Sequence, residues 1–285
     1  MIRKEVDAGT PVNRIAFISH TTAAADEAWT RVRDQLNVKF KPRFFCTIHS
    51  AAMNRAGITR NDVFSNWKEV TRRTRLNFTG QGMSAALDAS GKEQNRNGDH
   101  ILVLKNYASS NQITIEEAKE RLPRYPVLSK ANIERTLRIF EAVKNEEKRF
   151  DFDDMLNIYN DDPEASALPV DIVFVDEAQD LSKLQWSVVH KLAKDAGRLY
   201  IVGDDDQAIY TFLGADPYGF LDHEADETII LDRSWRVPAS IGALADKIIR
   251  QVSKRQDKDF EWRSDIGELR YHQGDPWPVL RDPQG

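Results

Sequence analysis

Residues 170–180 read VDIVFVDEAQD, a short apolar run that ends directly in acidic and amide side chains. The apolar part, 170–175, is rich in β-branched residues and short for a helix, which predicts a buried strand. The carboxylates begin at Asp176 with no spacer after the strand. Because ligands of parallel α/β sheets bind at the carboxyl ends of the strands, this stretch indicates an α/β domain with a site at 176–180.

Two more apolar runs extend this pattern. Residues 13–19 (NRIAFIS) predict a strand that feeds a helix over 22–36, where alanine, valine and leucine recur at helical spacing. Residues 198–202 (RLYIV) predict a third strand, and 181–193 has the spacing of a helix. The alternation of strands and helices predicts a mainly parallel sheet.

The middle of the chain has a different composition. Residues 79–125 contain a Thr-Gly-Gln-Gly sequence and the polar run SGKEQNRNGDH at 90–100. Such a segment predicts an insertion with loops of its own. Residues 129–148 then read as a long helix, and a proline opens another predicted helix over 238–252.

Charge is unevenly spread along the 285 residues. The net charge is −5, yet residues 1–75 hold 14 lysines and arginines against 7 acidic residues. This balance predicts that a surface binding nucleic-acid phosphates would be formed mainly by the N-terminal part. A basic helix face exposed to solvent would give the same count.

The composition also excludes several classes of protein. The single Cys46 excludes an internal disulfide and a cysteine-based metal cluster. The sequence has no apolar run long enough to span a membrane, and residues 1–10 lack the apolar core of a signal peptide. We therefore predict a globular, cytoplasmic protein with no membrane partner.

The acidic residues after the predicted strand have the arrangement that nucleotide hydrolysis needs. Asp176 would bind Mg²⁺ beside the phosphates, and Glu177 would orient and deprotonate the attacking water. The alternative is an acidic turn in which Asp180 caps the following helix.

A second polar segment follows the third predicted strand. Residues 202–210 read VGDDDQAIY, in which the uncharged Gln207 can hydrogen-bond a γ-phosphate without neutralising a metal ion. Tyr210 and Phe212 offer flat faces to the bases of a single strand. In the alternative account Ile209, Tyr210 and Phe212 belong to a short core helix, and we expect at least one of them to be buried.

Six segments, in order, resemble the motifs of the UvrD/Rep-type superfamily 1A DNA helicases. They are ISHTTAAADE at 18–27 (motif Ia), CTIHS at 46–50, FDFDDML at 150–156, VDEAQD at 175–180 (motif II), VGDDDQAIYTFLGA at 202–215 (motif III) and LDRSWRVP at 231–238 (motif IV). The resemblance covers nearly the whole chain in the order of the family.

The resemblance implies an ATP-dependent DNA helicase or translocase that moves along single-stranded DNA, 3' to 5', with ATP and Mg²⁺ as its ligands. It implies catalytic roles for Glu177, Gln207 and Arg236, nucleotide binding by Asp176, Gln207 and Arg236, and metal binding by Asp176. Arg236 would reach the γ-phosphate across a domain cleft, with an ion pair to Asp232 as the alternative.

The resemblance also implies a DNA path. Its residues would be His20, Thr21, Thr47, His49, Tyr210 and Phe212, and its ligand single-stranded DNA or a DNA junction. The alternative for His49 is that it caps its own helix.

The fold implied is α/β. It has a RecA-like parallel-sheet core (helicase domain 1A), a mostly helical 1B insertion and the start of a second RecA-like domain. We predict domain 1A over 1–75 and 129–225, the 1B-like insertion over 76–128, and the beginning of domain 2A over 226–285.

The sequence departs from the family pattern in a part that ATP hydrolysis needs. Residues 1–285 contain no GxxxxGK[ST] phosphate loop, and their one Gly-Lys pair, at 91–92, lies inside the predicted insertion. We expect the loop to fall before Met1 or to come from a separate polypeptide, and the later motifs of the second domain to be absent. Leu213 and Ser19 stand where the family often has an arginine and an aromatic residue, so each position lacks a DNA contact.

Two other functions fit parts of the sequence. A non-catalytic DNA-binding or regulatory remnant of a helicase fits the missing phosphate loop, but not the acidic pair and Gln207. A nuclease with a two-metal site would use the aspartate-rich stretches at 151–154 and 204–206, although both lie in helicase-like segments.

Overall fold

A computed structural model describes residues 1–80, 97–122 and 129–269. Its strands are β1 (Ile15–Ser19), β2 (Phe45–Thr47), β3 (Ile172–Val175), β4 (Arg198–Ile201), β5 (Arg233–Pro238) and β6 (Glu261–Arg263). Its helices are α1 (Ile2–Asp7), α2 (Thr22–Leu36), α3 (Ile48–Arg55), α4 (Trp67–Thr74), α5 (Asn97–Asn111), α6 (Ile115–Arg121), α7 (Lys130–Glu147), α8 (Phe152–Asp161), α9 (Lys183–Ala193), α10 (Pro217–Leu221) and α11 (Ala239–Ile249).

The first four strands form one parallel sheet in the order β2-β1-β3-β4. Its register pairs Ser19 with Thr47, Ile18 with Val175, and Val175 with Ile201, so the strands end at nearly one level. The chain passes from β1 to β2 on one side and returns to β3 on the other. Such a change of direction opens a crevice at the carboxyl ends of β1 and β3.

The two central strands are buried because helices cover both faces of the sheet. One face packs into the main core, with Ala16, Ile18, Val173 and Val175 among its members. The other face packs against α1 and carries Ile15, Ile172 and Phe174. This alternation confirms the predicted α/β class with a parallel sheet.

The predicted helices form close to their expected ends, but the alternative in which Asp180 caps the following helix is wrong. The helix expected over 22–36 is α2, and the one expected over 181–193 is α9. Ser182, rather than Asp180, caps α9, and its hydroxyl accepts a hydrogen bond from the Gln185 backbone at 3.2 Å. Asp180 lies too early in the chain because it ends a separate 3-10 turn.

The middle segment is helical where the structure describes it. Helices α5 and α6 pack around Ile101, Leu104 and Ala118, which are buried. Residues 81–96 and 123–128 lie outside the described residues, and with them most of the polar run and the Gly-Lys pair. The 1B-like insertion therefore stays a prediction.

A buried ionic cluster joins α5 and α7 to the start of α8. Lys105 lies 2.9 Å from Asp151 and 3.0 Å from Asp153, while Lys144 lies 2.9 Å from Asp151 and 2.7 Å from Asp154. Burial disfavours the charge of Lys144, but its carboxylate partners outweigh burial and raise its pKa. These aspartates are already paired with lysines, which opposes the two-metal nuclease.

The chain divides into two compact units, residues 1–223 and 224–285. In the second unit β5 and β6 pair in parallel, and a Cβ added at Gly242 would lie 2.2 Å from the Trp262 ring. The predicted domain boundaries, including the start of domain 2A, stay predictions. Over the described residues, no helix has the length and apolar character to cross a bilayer.

Candidate functional site

The carboxyl ends of β1, β2 and β3 bring several predicted site residues to one edge. Asp176 follows β3, and its backbone N–H donates to the Ile18 carbonyl of β1 at 2.9 Å. His20 follows β1 and is close enough to Glu177 for that carboxylate to affect its pKa, which burial lowers. Thr47 ends β2 at the same level.

Asp176 and Glu177 are adjacent but lie in different environments. Burial, and next the charge of Glu177, raise the pKa of Asp176. Glu177 is exposed and has a left-handed backbone, with φ of 54°, at the start of the Ala178–Asp180 turn. This conformation is uncommon outside glycine and is kept where the surrounding structure imposes it.

The acidic pair fits the Mg²⁺ ion that the family uses. Two carboxylates with one of them half-buried leave an excess of negative charge, which a cation would offset. Mg²⁺ commonly takes only one or two protein carboxylates and fills its other positions with water and phosphate oxygens. No group of three or more candidate metal ligands occurs among the described residues, so a metal held by protein side chains alone is not indicated there.

Gln207 lies on the same edge of the sheet because β4 is the neighbour of β3. It ends the 3-10 turn Asp205–Gln207 and is exposed, and its Nε2 donates to Asp204 Oδ2 at 2.6 Å. Its amide is therefore held within the loop that follows β4, with its position set by Asp204.

Gln179 connects this loop to the acidic pair, a connection that the sequence did not reveal. Its Nε2 donates to Glu177 Oε2 at 2.8 Å, and its Oε1 accepts from the backbone N–H of Asp204 at 3.0 Å. Only the placement of β3 beside β4 brings these three residues together.

Two histidines and a phenylalanine continue the edge beyond the acidic pair. Burial lowers the pKa of His49 to about 4, with a further contribution from His20. The Phe152 ring lies edge-on to His49, with 5.6 Å between the ring centroids. The alternative that His49 caps its own helix is wrong, because the Thr47 hydroxyl accepts from the Ser50 backbone at 3.2 Å.

Phe152 was not among the predicted DNA contacts. It is 64% exposed at the start of α8, although Met155 and Leu156, one turn later, are buried. Helical spacing would place Phe152 on the same buried side. The FDFDDML match was the only signal in the sequence that pointed to this segment.

Three large hydrophobic residues in the segment after Gln207 are exposed. Ile209, Tyr210 and Phe212 are 65%, 42% and 44% exposed, so the expectation that at least one of them is a core residue is wrong. A Cβ added at Gly214, where φ is 102°, would lie 3.1 Å from Asn111 at the end of α5.

The other predicted site residues are placed less directly. Thr21 caps α2, and its hydroxyl accepts from the Ala24 backbone at 3.2 Å. Arg236 is an exposed residue of β5 in the second compact unit. In the described part of that unit Arg236 and Asp232 form no ion pair, while Arg233 approaches Glu261 at 3.8 Å.

The comparison with known protein families decides the family. The model of the UvrD/REP helicase N-terminal domain matches residues 2–228. The chain belongs to this family. The UvrD/REP match includes the parallel sheet, the acidic pair and the loop after β4.

Curated relatives agree with the UvrD/REP assignment. The ATP-dependent DNA helicase PcrA of Staphylococcus epidermidis is 27% identical over 291 residues, which cover 93% of this chain and 37% of that protein. PcrA of Bacillus subtilis is 34% identical over 108 residues, 36% of this chain and 15% of its own length. The putative ATP-dependent DNA helicase YjcD of Bacillus subtilis is 32% identical over 133 residues, 43% of this chain and 18% of its own. The chain thus spans well under half the length of these relatives.

Proposed function

We infer that this protein forms the nucleotide- and DNA-binding part of an ATP-dependent helicase or translocase that moves 3' to 5' on single-stranded DNA in the cytoplasm. The proposal rests on one edge of the sheet, where Asp176 and Glu177 lie close to three ring-bearing residues. These residues are His20, His49 and Phe152. Residues 1–285 contain no GxxxxGK[ST] sequence, and in this proposal the phosphate loop comes from outside these residues, either before Met1 in the same chain or from a separate polypeptide.

In ATP hydrolysis Asp176 would hold Mg²⁺, and the ion would offset the charge of the phosphates. Glu177 orients a water molecule and takes its proton while the water oxygen attacks the γ-phosphorus and the bond to the departing ADP oxygen breaks. Gln207 hydrogen-bonds the γ-phosphate as a neutral group. Arg236 adds a guanidinium that stabilises charge in the transition state.

The DNA path follows the same edge. Thr21 and Thr47 cap α2 and α3, so the N-termini of both helices offer backbone N–H groups to DNA phosphates. His20, His49 and Phe152, with Tyr210 and Phe212 after β4, supply flat groups for the bases of a single strand or of the strand ends at a junction. A stacking mode of this kind is tolerant of base sequence.

The test is DNA-stimulated ATP hydrolysis by the chain mixed with a polypeptide that carries a strand followed by GxxxxGK[ST]. We expect Glu177→Gln to lower kcat by about 10²- to 10⁴-fold, because it removes the group that takes the proton, and to leave binding of a single-stranded oligonucleotide intact. Glu120→Gln, at an exposed position of α6, is the matched control and should behave as wild type.

Two results would contradict the proposal. A wild-type mixture that binds the oligonucleotide but hydrolyses no ATP would favour the non-catalytic DNA-binding module. Equal hydrolysis by wild type and Glu177→Gln would remove Glu177 from the reaction.

A further inference from the structure

Gln179 is the fourth residue after the end of β3, and its side chain is enclosed although the nearby Glu177 is exposed. Only 1% of Gln179 is accessible to solvent. A buried amide needs partners for its donor and acceptor atoms, because leaving one unpaired costs roughly 1–3 kcal/mol. Gln179 satisfies both ends with two different loops, the one after β3 and the one after β4.

The orientation of this amide is determined by its partners. The Asp204 backbone N–H is a donor and must face Oε1, while the Glu177 carboxylate is an acceptor and must face Nε2. Rotating the amide by half a turn would place donor against donor and acceptor against acceptor. The side chain therefore has one satisfied arrangement, and that arrangement constrains the carboxylate.

The backbone at Gly203 leaves room for the two hydrogen bonds of Gln179. A Cβ added at Gly203 would lie 2.6 Å from Gln179 Oε1 and 3.2 Å from the backbone nitrogens of Ala178 and Gln179. The Ala178 N–H donates to the Val202 carbonyl at 3.0 Å, which holds the two loops side by side. The left-handed backbone of Glu177 turns its side chain back toward Gln179.

We propose that Gln179 is a positioning residue, which orients the Glu177 carboxylate and ties that orientation to the loop carrying Gln207, Tyr210 and Phe212. The proposal rests on the proposed ATP hydrolysis and deepens it. A free glutamate at an exposed strand end has several rotamers, whereas one hydrogen-bonded carboxylate oxygen leaves the other oxygen aimed at the water. Movement of the Asp204 loop on binding DNA would reach Glu177 through a single side chain.

Two substitutions at this position separate the two hydrogen bonds from the space that the side chain fills. Gln179→Leu fills most of the same space, with one methylene group fewer, but makes neither bond. Gln179→Glu keeps the acceptor for the Asp204 N–H and loses the donor to Glu177. At neutral pH the Gln179→Glu variant also places a second carboxylate beside that of Glu177. One of the two carboxylates then takes up a proton as the pH falls. The protonated form then regains a donor, and with it the bridge.

Gln185→Leu is the matched control. Gln185 is also a buried glutamine with a side-chain hydrogen bond to backbone, since its Oε1 accepts from the Ser182 N–H at 2.9 Å. It caps α9 and touches neither Glu177 nor Asp204. Its loss should lower the melting temperature without changing the hydrolysis reaction.

The experiment measures two quantities in the full chain. The first is the exchange rate of the Asp204 amide proton, followed by NMR, which needs no enzymatic activity. The second is DNA-stimulated ATP hydrolysis in the mixture with the loop polypeptide, with kcat and KM determined across pH 5.5 to 8.5.

For Gln179→Leu we expect Asp204 exchange to accelerate by about tenfold or less, as one hydrogen bond is lost. We expect kcat to fall roughly 10- to 100-fold with KM for ATP nearly unchanged, because Glu177 is misplaced but present. Gln179→Glu should have a low kcat at pH 8.5 that recovers toward wild type as the pH falls, which a merely structural role would not produce.

The proposal is overturned if Gln179→Leu leaves Asp204 exchange unchanged, or if both variants at position 179 lose only stability, as Gln185→Leu does. A wild-type mixture that hydrolyses no ATP removes the proposed function and with it the role of Gln179 in hydrolysis. The exchange rates then still decide whether the bridge between the two loops exists, so the two failures are distinct.

Discussion

His49, a partly buried side chain, makes the stability of the candidate DNA edge depend on pH. Its folded pKa is about 4 because burial disfavours the charged form, against an ordinary value of 6.5. The unfolded chain therefore takes up a proton on acidification before the folded protein does. Stability supplied by neutral His49 is complete above pH 6.5 and is lost as the pH falls toward 4.

We expect His49→Gln to flatten this part of the pH profile. Between pH 7 and pH 4.5 the wild type should lose about 2 kcal/mol more unfolding free energy than the variant, because the folded pKa of about 4 lies well below the ordinary value and the site keeps some contact with solvent. Urea unfolding at the two pH values measures the difference. Parallel curves for the two proteins would show that His49 takes up a proton as readily in the folded state as in the unfolded chain, against the lowered pKa.

Phe152 and Phe212 are exposed aromatic residues for which the proposed DNA path gives a reason. Replacing either by alanine should weaken binding of a fluorescent single-stranded oligonucleotide by about 1–3 kcal/mol, the usual contribution of one stacked base. Phe40→Ala is the control, because Phe40 is 82% exposed but precedes β2 and lies toward the amino end of that strand. Equal effects at Phe40 and Phe152 would mean that binding follows general exposure and not this edge.

At the scale of elements, β4 is flanked by two glycines that the structure uses differently. Gly203 lies against Gln179 and Ala178, whereas a Cβ at Gly197 would come no closer than 3.6 Å to the Asp171 carbonyl. One glycine therefore permits two loops to approach, and the other has ordinary space around it.

Gly203→Ala should lower the unfolding free energy by about 1–3 kcal/mol, because the new methyl group must displace a buried amide or backbone. Gly197→Ala should be neutral or slightly stabilising, since it restricts only the unfolded chain. Thermal unfolding of the two variants side by side measures this. A stable Gly203→Ala protein with native Asp204 exchange would contradict the close packing at the end of β4.

At the scale of the whole molecule, the cluster around Lys144 joins parts of the chain that are distant in sequence. Lys144 on α7 and Lys105 on α5 share Asp151, which itself caps α8. The middle segment and the sheet domain are thus connected by buried charges, and each charge depends on its partners for compensation.

Lys144→Met should destabilise the protein by about 3 kcal/mol, because it leaves the partly buried Asp154 without its lysine and Asp151 with Lys105 alone. Lys130→Met removes an exposed lysine of the same helix that lies 2.7 Å from Glu116, and should cost less than about 1 kcal/mol. Denaturant unfolding of both variants tests this contrast. Similar losses for the two would show that the cluster is open to water.

The sequence by itself determined the α/β class, the ends of α2 and the acidic end of β3, because each depends on hydrophobic spacing or on residues adjacent in the chain. The motif order also identified the helicase family, which the family model over residues 2–228 confirms. Local pattern did not reveal β2, which has only three residues and is held by its pairing with β1.

Tertiary structure alone decided which strands are neighbours, and so which loops meet. The order β2-β1-β3-β4 places the loops after β3 and β4 together, and Gln179 can bridge them only there. Tertiary structure also leaves Phe152 exposed beside His49 at the edge of the sheet, where helical spacing predicts a buried residue. Both outcomes depend on contacts between residues far apart in the chain, and periodicity along a sequence carries no information about such contacts.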